Sequence, residues 1–245
     1  MKKEKLKNKK GSHVGTVISF VVFLTFLLFF YIISQPVVSY KKENKIIFEK
    51  VKSEIEERIN YETVISLIEI EDFTGNSECI RLKSFFEKTK SPKNTTVKDD
   101  QEIIISDTPR SNSNDLILQK NNHGKITVYA SESLDKTGEI QSSDCTSIDY
   151  ETGYNIKTVK KDFYSFENRI LTLLKDYQDD YEKLKKEMEI FEGDNFGFSF
   201  IYENGTEIGT AEKNIKIDIK SKKISTFYID KNANIKAGTI VIRIW

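Results

Sequence analysis

Residues 14–34, VGTVISFVVFLTFLLFFYIIS, form an unbroken run with no charged side chain, and this run constrains the fold more than any other part of the chain. At about 1.5 Å rise per residue, a helix of that length is about 30 Å long, the thickness of a bilayer's hydrocarbon core. The run predicts a transmembrane helix over 14–35, preceded by a tail of residues 1–13. Beyond it lie roughly 200 residues, enough for one large domain or two small ones with real cores.

The tail carries Lys2, Lys3, Lys5, Lys7, Lys9 and Lys10 against a single Glu4. Basic residues beside a membrane helix tend to stay in the cytoplasm, so the tail is expected inside and the chain from Pro36 to Trp245 outside. Lys41, Lys42 and Lys45 beyond the span reduce the contrast. A cleaved secretory signal competes for this region, but its apolar core spans about 7–15 residues and ends at a small-x-small site. The run is longer, and Ser34-Gln35-Pro36 makes a poor site, which favours an uncleaved anchor.

Lys plus Arg and Asp plus Glu both number 38. A net charge of zero argues for neither nucleic acid nor an acidic substrate as a partner. Membrane lipid is the partner the sequence implies, with protein partners or self-assembly through the N-terminal helix beside it.

Past the span, Pro36 is expected to break or kink the helix. Ile47, Val51, Ile55 and Ile59 then recur at intervals of four, which predicts an amphipathic helix. Val64–Ile70 and Glu78–Phe85 read as strands, joined into a hairpin by the turn at Phe73-Thr74-Gly75-Asn76. Residues 88–101 read as a polar loop. Glu102–Ser106, Asp115–Leu118 and Lys125–Ala130 are expected as short strands, 131–147 as a surface connection with Gly138, and Gly153–Lys160 as a further strand.

Phe166, Ile170, Leu173, Tyr177, Tyr181, Leu184 and Met188 fall at helical spacing behind a candidate N-cap, Ser165. They predict one helix of about 25 residues with tyrosines at the core edge. In NFGFSFIY, Phe196, Phe198, Phe200 and Tyr202 share a strand face, and Asn204-Gly205 predicts a type I′ hairpin into Thr206–Ile208. Ile215–Ile219, Ile224–Ile229 and Thr239–Trp245 extend the sheet. The expected class is therefore α+β: a transmembrane helix, then two helix-plus-antiparallel-sheet modules over 43–130 and 160–245, connected through 131–159.

Lys10-Gly11-Ser12-His13 followed by an apolar helix resembles the class III signal of archaeal type IV pilin-like proteins, a likeness covering about the first 60 residues. The resemblance implies cleavage between Gly11 and Ser12 with the helix retained, and assembly into a filament. Thr16 stands where pilin helices commonly carry glutamate, and Ser12-His13 departs from the usual start, both of which favour a simple anchor. The overall pattern, with its closing FGFSF and IRIW strands, is also similar to membrane-anchored proteins of small-genome archaea, a likeness that implies no activity.

Few residues suggest chemistry. Cys79 and Cys145 are the one candidate covalent pair, and a bridge closing a loop of about 65 residues is worth roughly 4 kcal/mol by chain entropy. Two reduced, buried cysteines are the alternative. Asn94-Thr95-Thr96 and Asn204-Gly205-Thr206 are glycosylation sequons. Asp230, Asn232 and Asn234 resemble the opening of a calcium loop, but Ile235 stands where glycine is needed and Val241 where glutamate is needed, so a plain turn and no metal are expected. His13 and His123 have no nucleophile pattern beside them, and no cofactor or enzymatic activity is expected. The sequence points to a membrane-anchored surface protein with a structural, adhesive or binding role.

Overall fold

The computed structural model describes residues 13–71, 77–105, 107–109, 114–119, 124–135, 145–210 and 219–245. Helix α1 runs His13–Ile59. Its segment Gly15–Ile33 has a mean hydropathy of 2.7, is entirely exposed, and is long and apolar enough to cross a membrane. The break expected at Pro36 is absent from α1. A proline withdraws one amide hydrogen, a loss that apolar helices tolerate.

The chain divides into two compact units, Met1–Glu49 and Lys50–Trp245. In the second, the order after α1 is β1 (Asn60–Ile70), β2 (Cys79–Leu82), α2 (Phe85–Thr89), β3 (Thr95–Asp99), β4 (Ile104–Ile105), β5 (Asp107–Pro109), β6 (Leu116–Gln119), β7 (Lys125–Ala130), β8 (Thr146–Ile148) and β9 (Tyr154–Phe166). Then come α3 (Glu167–Asp179), α4 (Tyr181–Glu187), β10 (Phe196–Ile201), β11 (Glu207–Gly209), β12 (Lys220–Ile229) and β13 (Ile235–Ile244). The class is α+β.

A large sheet has the order β11-β10-β13-β12-β9-β1-β7-β3-β4, and a small one the order β5-β6-β2-β8. The sheets share a core in which Ile68, Val97, Ile126 and Val128 of the large sheet meet Ile80, Leu82, Leu116 and Leu118 of the small one, with Phe85 and Phe86 of α2. In the C-terminal strands, Phe196, Phe198 and Phe200 pair with Ile244, Ile242 and Ile240. Helices α3 and α4 bury Ile170, Leu173, Tyr177 and Leu184. The Tyr177 ring stands edge-on to Phe196 and Phe198, and its hydroxyl donates to Phe196 O at 2.9 Å. At the end of α1, Val51, Ile55 and Ile59 are buried at the expected interval, and Lys50 and Arg58 pair with Glu189 and Glu187.

Four expectations change. β1 and β2 do not form a hairpin: both edges of β1 are taken by β7 and β9, and β2 lies in the small sheet between β6 and β8. Residues 72–76, the expected turn, lie outside the described residues. The polar stretch 88–101 contains β3, a strand buried at every position, because Lys98 and Asp99 find internal hydrogen-bond partners. The expected long helix is two helices. Asp180 ends α3 and caps α4 by accepting from Lys183 N, while Ser165 remains in β9 and donates to Asn60 Oδ1 at 2.7 Å.

Last, the turn at Asn204-Gly205 is not type I′, since positive φ falls on Gly205 alone (81°). Gly205 N donates to Tyr202 O and Tyr202 N to Thr206 O, the pattern of a type I turn followed by a left-handed bulge residue.

Candidate functional site

Cys79 and Cys145 are bonded, with S–S 2.02 Å, and join the start of β2 to the residue before β8. β2 and β8 run parallel, and Ser77 and Thr146 are in hydrogen-bond contact through their hydroxyls at 2.6 Å beside the bridge. The bond thus closes one end of the small sheet.

Two motifs that lie apart in sequence converge at the hairpin tips. A cleft of about 500 Å³ is lined by Tyr202, Glu203 and Asn204 from one turn, Asp230, Lys231 and Asn232 from the other, and Glu167 at the start of α3. The second turn repeats the geometry of the first: Ala233 N donates to Asp230 O, Asp230 N donates to Asn234 O, and Ala233 takes the left-handed position at φ 55°. Asp230 organises this turn. Its Oδ1 accepts from Asn232 N and Asn234 N, and its Oδ2 from Asn234 Nδ2 and, at 2.7 Å, Lys236 Nζ. The calcium-like run thus directs its carboxylate to the turn's own donors, and among the described residues no group of acids, histidines and cysteines is placed to hold a metal.

Burial alone would raise the Asp230 carboxyl, but the bonds from Lys236 and Asn234 outweigh it and hold the group below the ordinary carboxylate value. Burial, joined by the Glu167 carboxylate, pushes the Tyr202 phenol up to about 12.

The sequons differ in setting. Asn94 Nδ2 donates to the carbonyls of Glu132 and Leu134, so a glycan there, which replaces one amide hydrogen, would break one of the two bonds. Asn204 is exposed at its turn, with Oδ1 accepting from Thr206 N. Gly11, Ser12, His123 and Gly138 lie outside the described residues, as does the stretch 211–218.

A second cleft, about 530 Å³, is lined by Arg58, Tyr61, Arg169 and Thr172 together with Glu54, Glu57, Asp176, Glu187 and Glu189. Arg169 stacks on Tyr61 with its guanidinium carbon 4.6 Å from the ring centroid and donates to Ser133 Oγ. Five carboxylates stand against two guanidinium groups in its lining, so the cleft is acidic on balance.

One junction in the large sheet is short. β9 and β12 run parallel but pair only at Tyr228↔Ser165 and Ile229↔Phe166. Below that junction β9 is exposed from Lys157 to Phe163, and its outer edge carries no strand among the described residues. The strand expected over Gly153–Lys160 continues to Phe166.

Comparison of the chain with family models, with curated proteins and with solved structures finds no match. What the molecule itself shows is an α+β fold with an N-terminal apolar helix and an internal disulfide.

Proposed function

We propose that this chain is a single-pass membrane protein whose β-rich domain faces away from the cytoplasm and has a binding, adhesive or structural role. The observation that carries the reading is the Cys79–Cys145 disulfide in a chain that also holds the exposed apolar segment Gly15–Ile33. Disulfides of this kind persist in oxidising compartments. The basic tail supports a cytoplasmic N-terminus. The domain is read as two modules, over 43–130 and 160–245 and connected through 131–159, a reading supported by the short pairing of β9 with β12 at Tyr228↔Ser165 and Ile229↔Phe166. Protease applied to intact cells is expected to digest the chain beyond Pro36; full protection on a surface that yields other proteins would reject the outward orientation.

A second reading, a pilin-like subunit processed after Gly11, is favoured by α1, whose 47 residues lead without a loop into β1. The intact mass of membrane-extracted protein separates the two. Loss of residues 1–11 supports the subunit, and a retained tail supports the anchor.

A further inference from the structure

The two hairpin tips present matching positions to the cleft between them. In the β10–β11 turn the order is Glu203, Asn204 and then left-handed Gly205; in the β12–β13 turn it is Lys231, Asn232 and then left-handed Ala233. Each turn thus sets a charged side chain and a carboxamide ahead of its left-handed residue, and all four side chains belong to exposed residues that line the cleft. Beside them Tyr202 is half-buried, with its ring edge-on to Phe200 at 5.2 Å and to Tyr228 at 5.6 Å. Those contacts fix the plane of a ring that also lines the cleft.

The charges form no cage for an ion. Three carboxylates stand against two ammonium groups in the lining. Asp230 is engaged by its own turn and by Lys236, and Glu167 Oε2 accepts from Lys231 N at 3.3 Å. Glu203 and Lys231 are of opposite sign, and among the described residues neither their charged ends nor the Asn232 carboxamide has a hydrogen-bond or ion-pair partner. Asn204 engages Oδ1 with Thr206 N and keeps Nδ2 to donate.

An apolar ligand would take water from these groups without replacing their hydrogen bonds, which is costly. A hydroxyl both donates and accepts, so a ring bearing several hydroxyls satisfies them together: it donates to Glu203 and accepts from Lys231, Asn204 and Asn232. The C–H face of such a ring is apolar and suits an aromatic side chain with a polar tip.

We infer that the hairpin-tip cleft binds a neutral saccharide, with one sugar ring against Tyr202 and its hydroxyls shared among Glu203, Lys231 and Asn232. The volume of about 500 Å³ lies within the roughly 300–1,000 Å³ of small-molecule sites. This inference names a ligand class for the binding role proposed above and rests on that reading, while its test does not depend on membrane orientation.

The probes are the linear trisaccharides of glucose, galactose, mannose and N-acetylglucosamine. They are added to the full chain purified in micelles of a detergent without a sugar headgroup and shown by intact mass to carry no glycan on Asn204. Saturation-transfer NMR is expected to show transfer to ring C–H protons of at least one trisaccharide. Glu203→Ala and Asn232→Ala, both at exposed turn positions, are each expected to weaken the Kd about fivefold with the melting curve unchanged. Tyr202→Phe should keep the binding and Tyr202→Leu should lose it; if the leucine variant does not fold, the two turn variants decide. Inhibition by the matching polysaccharide points to a surface glycan and inhibition by the monosaccharide alone to a soluble sugar, and either supports the inference.

No transfer to any of the four, or binding unchanged by Glu203→Ala and Asn232→Ala, overturns it. So does tighter binding of the deacetylated, cationic glucosamine trimer than of its N-acetylated counterpart, which would make the cleft a cation site. Failure here with a protease-accessible domain leaves the membrane-anchored reading in place, and sugar binding by a protected domain removes the orientation while keeping the site.

Discussion

Lys98 of β3 donates from Nζ to Asn234 Oδ1 at 2.7 Å, linking β3 to the β12–β13 turn across 136 residues of sequence. The lysine is 1% exposed, also reaches Glu102 at 3.3 Å, and lies 5.3 Å from the Tyr129 ring centroid. Asn234→Ala would leave a buried ammonium with one polar partner fewer. It is expected to cost about 2 kcal/mol. Lys98→Met with Asn234→Leu should cost less than the sum of the single changes, as measured by denaturant unfolding in micelles.

Asp230 predicts an acid dependence. Its folded carboxyl sits below the ordinary value of 3.8. The unfolded chain therefore takes up the proton first as pH falls. The stabilisation is complete above the unfolded value, declines below it, and is gone once the pH has dropped through the folded value. Melting curves should show a smaller loss of stability between about pH 5 and pH 2 for Asp230→Asn than for the wild type, with a lower plateau near neutrality.

Gly238 is a packing requirement. A Cβ placed there would lie 2.4 Å from Phe200 Cζ. Gly238→Ala is expected to destabilise the domain by about 1–3 kcal/mol through overpacking. Adding Phe200→Leu should recover part of the loss, and thermal unfolding of the single and double variants measures it.

Removing the disulfide by Cys79→Ser with Cys145→Ser is expected to cost about 2–5 kcal/mol. The effect should be greatest in the small sheet, where hydrogen exchange at β2 and β8 would accelerate before exchange at β10 and β13. Uniform acceleration across both sheets would contradict a local role for the bond.

Regular periodicity made some elements legible. Val64–Ile70 and Lys125–Ala130 showed as apolar, β-branched strands, and Ile170, Leu173, Tyr177 and Leu184 lie on a buried helical stripe as their spacing implies. Polar residues with hidden partners were not legible. Lys98 and Asp99 disguised β3 as a loop, since nothing local announces the distant Asn234. Asp180 read as one more solvated acid in KDYQDDYEK, although its side chain starts a new helix. Pairing was the hardest to foresee, because the short separation of β1 and β2 suggested a hairpin while β9, more than eighty residues further on in roughly drawn terms, takes that edge instead. The hairpin-tip cleft combined Asn204 with Asp230 through topology alone.

The passage of α1 directly into β1, Ile59 to Asn60, has a mechanical consequence. In the proposed anchored protein, tension between the anchor and whatever the domain holds passes through the buried end of α1, Val51–Ile59, into β1, which β7 and β9 flank on both sides. Because the hydrogen bonds of antiparallel partners lie across the strand axis, a pull along β1 loads them together instead of opening them one after another. Past the helix end, drawing β1 out of the sheet thus requires many bonds to fail at once.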